Sequence, residues 1–501
     1  MVLPEPDKMS GAAPAYVRHK PEQTLLYQLV EQYWPEFQTQ LSETGRFLPR
    51  HVTREFEDYL ACGRLEEGFL RARCEGCSHE HLVAFSCKRR GFCTSCGARR
   101  MVETAALLVD HVLPHRPVRQ WVLSFPYPLR FVLANHPQVM GKVLAIVNRA
   151  ISTHLINKAG FKVSQAHTGA VTLIQRFGSA LNLNLHFHVL FIDGVFSLKG
   201  NGQLRFHRIN APTSKELNAL VAAISERVAR YLERQGWLAR DEQSDYLTLA
   251  LEEGDEDTLQ QLQGHSITYR IAMGPHAGRK VLTLQTIPAR EEEEYGTDQL
   301  GRIGGFSLHA GVAVNTRERK KLERICRYIS RPALSEARLE LTDRGMVRYA
   351  LKTAYRDGTT HVVFEPLDFM AKLAALVPRP RTNLTRFHGV LAPNSRYRDR
   401  VTPVSSGKVK KPTADAEADG RQEPDLTASK RKGMCWAQRL KRVFNIDVSI
   451  CSACGGEMKI IASIEDPFVI GKILSHLEAM FGSQGPENRR PGARAPPPAF
   501  C

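Results

Sequence analysis

Two CxxC turns set close together constrain this chain more than any other feature. Cys74 and Cys77 are followed, after fifteen intervening residues, by Cys93 and Cys96. A CxxC turn offers two thiolates to one ion, and two such turns supply the four soft ligands of a tetrahedral zinc site. A closed four-cysteine set is structural rather than catalytic. Cys74, Cys77, Cys93 and Cys96 are therefore expected to fold a small module around zinc. Arg89, Arg90, Arg99 and Arg100 give that module a basic rim suited to DNA phosphates. Free buried thiols fit poorly beside such polar neighbours. Cys62, Cys87, His79 and His81 are the substitute ligands within reach. The N-terminus MVLPEPDKMSGAAP lacks the apolar core of a secretory signal, and no apolar run approaches membrane-spanning length. A cytosolic setting follows, in which eleven cysteines read as metal ligands or free thiols rather than disulfides.

Charge narrows the class of partner. The formal net charge is +17 and the pI about 9.5. A surplus of that size suits a polyanion, because Lys and Arg release condensed counterions when they neutralise phosphates. A solvated basic surface without a partner is the blander alternative. The 501 residues allow two to four domains. Residues 1–20 read as a loose tail, 21–115 as N-terminal helices with the zinc module, and 116–398 as the main domain. Residues 399–432, rich in charge, Ser, Thr and Pro, read as a disordered linker. A C-terminal piece spans 433–480 and a tail 481–501. In that piece Trp436, Leu440, Val443 and Phe444 share a helix face, and Cys451-x-x-Cys454-Gly-Gly looks like half a zinc knuckle that Cys435 or His476 could complete.

The main domain carries the chemistry. AVTLIQRFG and LNLHFHVLFIDGVF read as two strands across a short polar turn. His186 and His188, at i and i+2, face one side of the second strand, while Leu185, Phe187 and Val189 pack on the other. Two imidazoles so placed can hold one metal. Antiparallel pairing of the first strand could bring Gln175 beside them as a third ligand. Taken alone, HxH is equally compatible with buried, hydrogen-bonded histidines. The region between this pair and Asn315, with acidic runs EEGDED and REEEEYG, reads as less regular, a surface insertion. Residues 315–330 read as a helix: Asn315 and Glu318 form a capping box, and Leu322, Ile325, Cys326 and Ile329 form one apolar stripe. Pro332 ends it. At 100° per residue Tyr328 lies about 120° from the stripe, among Lys321 and Arg324, with Arg331 just beyond. A tyrosine off the core face and ringed by cations suits a phenolate poised at a phosphate. An exposed tyrosine on a basic helix is the competing reading.

Together, SCKRRGFCTSCGARRM, GAVTLIQRFGSALNLNLHFHVLFIDG, GFSLHAGVAVNTRERKKLERICRYISRPALSEARL and VFNIDVSICSACGGEMKIIASIEDP resemble, in order, the rolling-circle transposases of the insertion sequence ninety-one type with the HUH fold. The resemblance spans about residues 60–395 and 434–480. It implies an α+β protein: an HUH endonuclease domain, with a central antiparallel sheet carrying the HxH strand between flanking helices, preceded by a small zinc module and followed by a small cysteine-bearing piece. It implies Tyr328 as the nucleophile, His186 and His188 as metal ligands, and Gln175 where relatives often place a third ligand. Mg or Mn would occupy the nuclease site and zinc the four cysteines. Lys321, Arg324, Arg327 and Arg331 would contact DNA. The implied partners are single-stranded DNA at element ends and target, with strand separation left to a host helicase; no membrane is implied, and the protein would act in the bacterial cytoplasm, at the nucleoid. One departure matters. Classical members carry two tyrosines four residues apart, whereas here Arg324 stands four before Tyr328, so the chain resembles the single-tyrosine common-region branch. A plasmid relaxase or replication initiator shares this chemistry, and a zinc-dependent DNA-binding protein without cleavage is the reading from another class.

Overall fold

The computed structural model describes residues 20–240, 245–247, 255–289, 299–403, 450–451 and 453–481. Nearly all of both expected tails and of the 399–432 linker, the acidic run 290–296, and Cys435, Trp436, Leu440, Val443 and Phe444 lie outside the described residues. The chain divides into two compact units. Residues 25–60 and 88–409 form the larger, and residues 1–24, 61–87 and 410–501 the smaller.

A six-stranded antiparallel sheet organises the larger unit. Its order is Leu300–Ile303, Phe306–Val314, Val118–Ser124, Leu183–Ile192, Gly169–Phe177 and Thr385–Gly389. The histidine strand, Leu183–Ile192, is central. Nine of its ten residues are buried, which explains why LNLHFHVLFI reads as a nearly continuous apolar run. Each face of the sheet has its own core. On one, Leu185, Phe187, Val189 and Phe191 pack with Trp121, Leu123 and the helix Pro137–Lys158. On the other, Leu173, Leu190 and Ile192 pack with Leu322, Cys326 and Ile329 of the helix Arg319–Ile329. The pleat separates the two sets, since alternate side chains point to opposite faces.

Pro137–Lys158 is the single helix among the described residues long and apolar enough to cross a membrane, contrary to the expectation that no such run exists. Val139, Met140, Val143, Leu144, Val147, Ala150, Ile151, Leu155 and Ile156 bury it in the protein core instead.

Two other expectations are corrected. The stretch LNLHFHVLFIDGVF is not one strand. It breaks at Asp193, and Gly194–Leu198 joins a separate three-stranded sheet. Asp193 turns its carboxylate onto Arg119, which donates to it from Nε at 3.0 Å and Nη2 at 2.9 Å. Arg119 also holds the Ala310 carbonyl at 2.9 Å, so this buried pair fastens three strands of the central sheet. A Cβ on Gly194 would meet the His207 carbonyl oxygen at 2.4 Å, which is why glycine follows the break. The region before Asn315 is no mere surface insertion either. Thr213 and Glu216 close a capping box on the helix Ser214–Arg234, whose Leu217, Leu220, Val221, Ile224, Val228 and Leu232 are buried. Leu300–Ile303 and Phe306–Val314 then extend the central sheet.

The tyrosine helix is shorter than expected. Glu318 accepts the Asn315 N–H at 2.8 Å, half of the foreseen capping box, but this closes a turn and the helix begins at Arg319.

The smaller unit centres on a three-stranded antiparallel sheet of Met458–Ile464, Phe69–Cys74 and Glu80–Ala84. Asp466 then accepts the N–H groups of Phe468 and Val469, each at 3.0 Å, and starts the helix Pro467–Phe481. Residues expected to form a separate C-terminal piece thus share a sheet with residues 69–84, and the helices Leu25–Glu43 and Arg50–Leu60 belong to the larger unit.

Candidate active site

His186 and His188 project from the central strand towards the face that carries the tyrosine helix. In register, His186 lies opposite Ser124 and Gln175, and His188 opposite Val122 and Leu173. Their ring centroids are 4.8 Å apart. Nδ1 of His186 donates to the Asn184 carbonyl at 2.8 Å, so its Nε2 carries the lone pair. The side-chain amide nitrogen of Gln120 lies 2.8 Å from Nδ1 of His188. A half-turn of that amide presents Oε1 as acceptor for Nδ1–H and leaves the Nε2 lone pair of His188 available. Nε2 of His188 is buried with no hydrogen-bond partner among the described residues. The His186 ring, with Nδ1 on a carbonyl and Nε2 left over, matches the outer-shell pattern of metal-ligating histidines, and the buried, unpartnered Nε2 of His188 lies beside it.

Electrostatics keep both rings neutral. Burial, with added repulsion from Arg130 and Arg331, lowers His186 to about 4, although its bond to Asn184 opposes the shift. Burial, then His186 and Arg331, holds His188 well below its ordinary value. Neutral imidazole is the form that binds a metal.

Gln175 sits across from His186, as its spacing suggested, but its Nε2 donates to the Ile329 carbonyl at 3.3 Å. That bond ties the last turn of the tyrosine helix to the sheet, and it leaves only Oε1 as a ligand atom.

Tyr328 is 39% exposed, while Leu322, Cys326 and Ile329 of the same helix are at 2% or less. Its ring centroid lies 6.4 Å from that of His188. The Arg331 guanidinium lies 4.5 Å and Lys352 Nζ 4.1 Å from the Tyr328 ring centroid. Of the other expected DNA contacts, Arg324 is exposed one turn before Tyr328, Lys321 pairs with Glu318 at 3.4 Å, and Arg327 pairs with Glu323 at 2.6 Å. Tyr349 is fully buried and its hydroxyl accepts the Ser335 N–H at 3.2 Å. Gln120, Arg130 and Lys352 escaped the sequence reading. Gln120 alone left a trace, as a polar residue inside the strand VRQWVLS.

The expected zinc set is regrouped. Cys74 and Cys77 are completed by Cys451 and Cys454, not by Cys93 and Cys96. Cys93 occupies the N-cap position of the helix Thr94–Leu107 in the larger unit, without a side-chain capping bond, and Cys96 lies in its first turn; both remain grouped with cysteines able to hold a metal. His476 is no member of the Cys451–Cys454 group either. No spacing rule links cysteines so far apart in the chain.

Residues 169–398, which include both strands of the histidine hairpin and the tyrosine helix, match the family described as "Putative transposase". Residues 29–125 match the family described as "Transposase zinc-binding domain". Comparison with curated proteins and with solved structures found no match. The chain is a transposase with mixed helix and sheet, and structural zinc belongs to its N-terminal part. It belongs to the insertion sequence ninety-one type.

Proposed function

We propose that this transposase nicks and joins single-stranded DNA through an HUH site in which Tyr328 is the nucleophile. The observation that carries the reading is the pairing of two buried, neutral histidines with an exposed tyrosine on one face of the sheet. His186 and His188 would hold a divalent ion, Mg or Mn, with Gln175 Oε1 as the third donor. When bound, the ion supplies Lewis acidity to the scissile phosphate. Tyr328 attacks phosphorus in line; the Tyr Oη–P bond forms, the P–O3′ bond breaks, and the leaving 3′ oxygen takes a proton. The product is a 5′-phosphotyrosine and a free 3′-OH. Arg331 and Lys352 stabilise the phenolate and then the charge on the transferring phosphoryl group. Lys321, Arg324 and Arg327 track the backbone of the strand. Joining reverses the first step with a target 3′-OH, and no nucleotide hydrolysis is required.

Arg324 removes the second tyrosine from this helix, and buried Tyr349 does not replace it. The chain therefore fits the single-tyrosine common-region branch, with rolling-circle transposition closed by a released 3′-OH or a second subunit. Strand separation falls to a host helicase, and the protein works in the bacterial cytoplasm, at the nucleoid. The test is a covalent-shift assay with labelled single-stranded element ends and Mn. The wild type gives a shifted band that survives denaturation, and Tyr328→Phe gives none. Sequence-dependent binding without any covalent band in the wild type would favour a non-cleaving DNA-binding protein.

A further inference from the structure

We infer that Cys74, Cys77, Cys451 and Cys454 form one zinc site split between distant parts of the chain, so that the C-terminal CxxC completes the smaller unit. The four sulfurs all lie within 4.8 Å of one another. Sγ of Cys74 is 3.4 Å from Sγ of Cys454, and Sγ of Cys77 is 3.6 Å from Sγ of Cys451. Zinc–thiolate bonds of about 2.3 Å in a tetrahedron place sulfurs roughly 3.8 Å apart, close to these separations. Both separations exceed the roughly 2.05 Å of a disulfide, and all four cysteines are free.

The backbone is built for the ion. At each cysteine pair a glycine N–H points at a sulfur: Gly76, between Cys74 and Cys77, at Cys74 from 3.3 Å, and Gly456, two residues past Cys454, at Cys454 from 3.4 Å. Such bonds stabilise thiolate over thiol. A Cβ on Gly456 would approach the Cys74 sulfur to 3.1 Å and the Cys454 sulfur to 3.3 Å, so glycine leaves room for the ligands. Gly455 supplies the left-handed turn, at φ +76°. The two turns are held face to face by the Glu75 N–H on the Glu457 carbonyl at 3.0 Å and by the register Cys74 opposite Met458. Lys459 pairs with Glu75 across the same joint.

Cys451 and Cys454 lie outside both stretches that match known families, 29–125 and 169–398. The site thus makes residues 450–464 an integral part of the zinc module. Ion binding to a set assembled only on folding adds its binding free energy to the stability of that unit.

The experiment uses the full chain. Aliquots are stripped with increasing chelator, treated with an alkylating reagent, and mapped by mass spectrometry. Cys74, Cys77, Cys451 and Cys454 are expected to be protected together and to become reactive in the same step. Zinc counts on Cys74→Ser/Cys77→Ser, on Cys451→Ser/Cys454→Ser and on the fourfold variant provide the second reading. Each double variant loses one ion per chain, and the fourfold variant loses that same single ion. Alkylation of Cys451 and Cys454 while Cys74 and Cys77 stay protected would overturn the inference, as would a fourfold variant that loses two ions or a double variant that loses none.

Discussion

The role proposed for Tyr328 joins two requirements: a nucleophile must be reachable by DNA, yet its oxygen must be placed against a fixed ion site. The helix meets both by burying Leu322, Cys326 and Ile329 and leaving Tyr328 39% exposed above His188. Lys352 adds a cation to the ring from a separate segment. Lys352→Ala should slow nicking roughly tenfold, consistent with a desolvated cation–π contact of about 1–2 kcal/mol, and leave Mn affinity unchanged. A single-turnover assay beside a Mn titration checks this; an unchanged rate removes Lys352 from the site. The histidines predict a pH dependence of folding. His186 has a value of about 4 in the folded chain against 6.5 in the unfolded one. Between those values the unfolded state binds the proton that the folded state refuses, so stability is full above about pH 6.5 and falls as pH drops towards 4. Urea midpoints across that window should shift less in His186→Asn than in the wild type.

Among elements, the strands of the histidine hairpin were the most legible, because a short apolar run reads as a buried strand and places i and i+2 on one face, although HxH alone did not separate metal ligands from hydrogen-bonded core histidines. The wheel position of Tyr328 was also legible, since helical periodicity fixes the angle to the stripe. The helix Ser214–Arg234 was equally written in the sequence, in Thr213, Glu216 and the apolar positions from Leu217 to Leu232, and the acidic runs beyond it drew the reading away. The break at Asp193 was not legible, because it depends on Arg119, a residue that pairs with it only once the sheet has formed. Asp193→Ala leaves that guanidinium buried without its carboxylate and should destabilise the larger unit by about 3–5 kcal/mol. Equilibrium denaturation measures this, and a loss under about 1 kcal/mol would show that the pair does not fasten the sheet.

On the scale of the whole molecule, the sequence placed the zinc ligands as neighbours because spacing arguments are local. Cys74 and Cys451 meet through strand pairing between distant segments, and no periodicity reports that. The net charge of +17 made a polyanionic partner legible without locating it. The cations around the proposed active site give a number to test. Five phosphate contacts, from Lys321, Arg324, Arg327, Arg331 and Lys352, imply a salt slope of about −3.5 for single strands, or roughly a 130-fold loss of affinity between 50 and 200 mM salt. Fluorescence anisotropy with an unstructured oligonucleotide reads it directly, and a slope near zero would mean these cations do not hold the strand. The central claim is covalent, and peptide mapping tests it. After reaction with a single-stranded element end and Mn, nuclease trimming and proteolysis, mass spectrometry should find the nucleotide remnant on Tyr328, linked through a 5′ phosphate. A remnant on any other residue, or a cleaved strand with no linked peptide, would contradict the account.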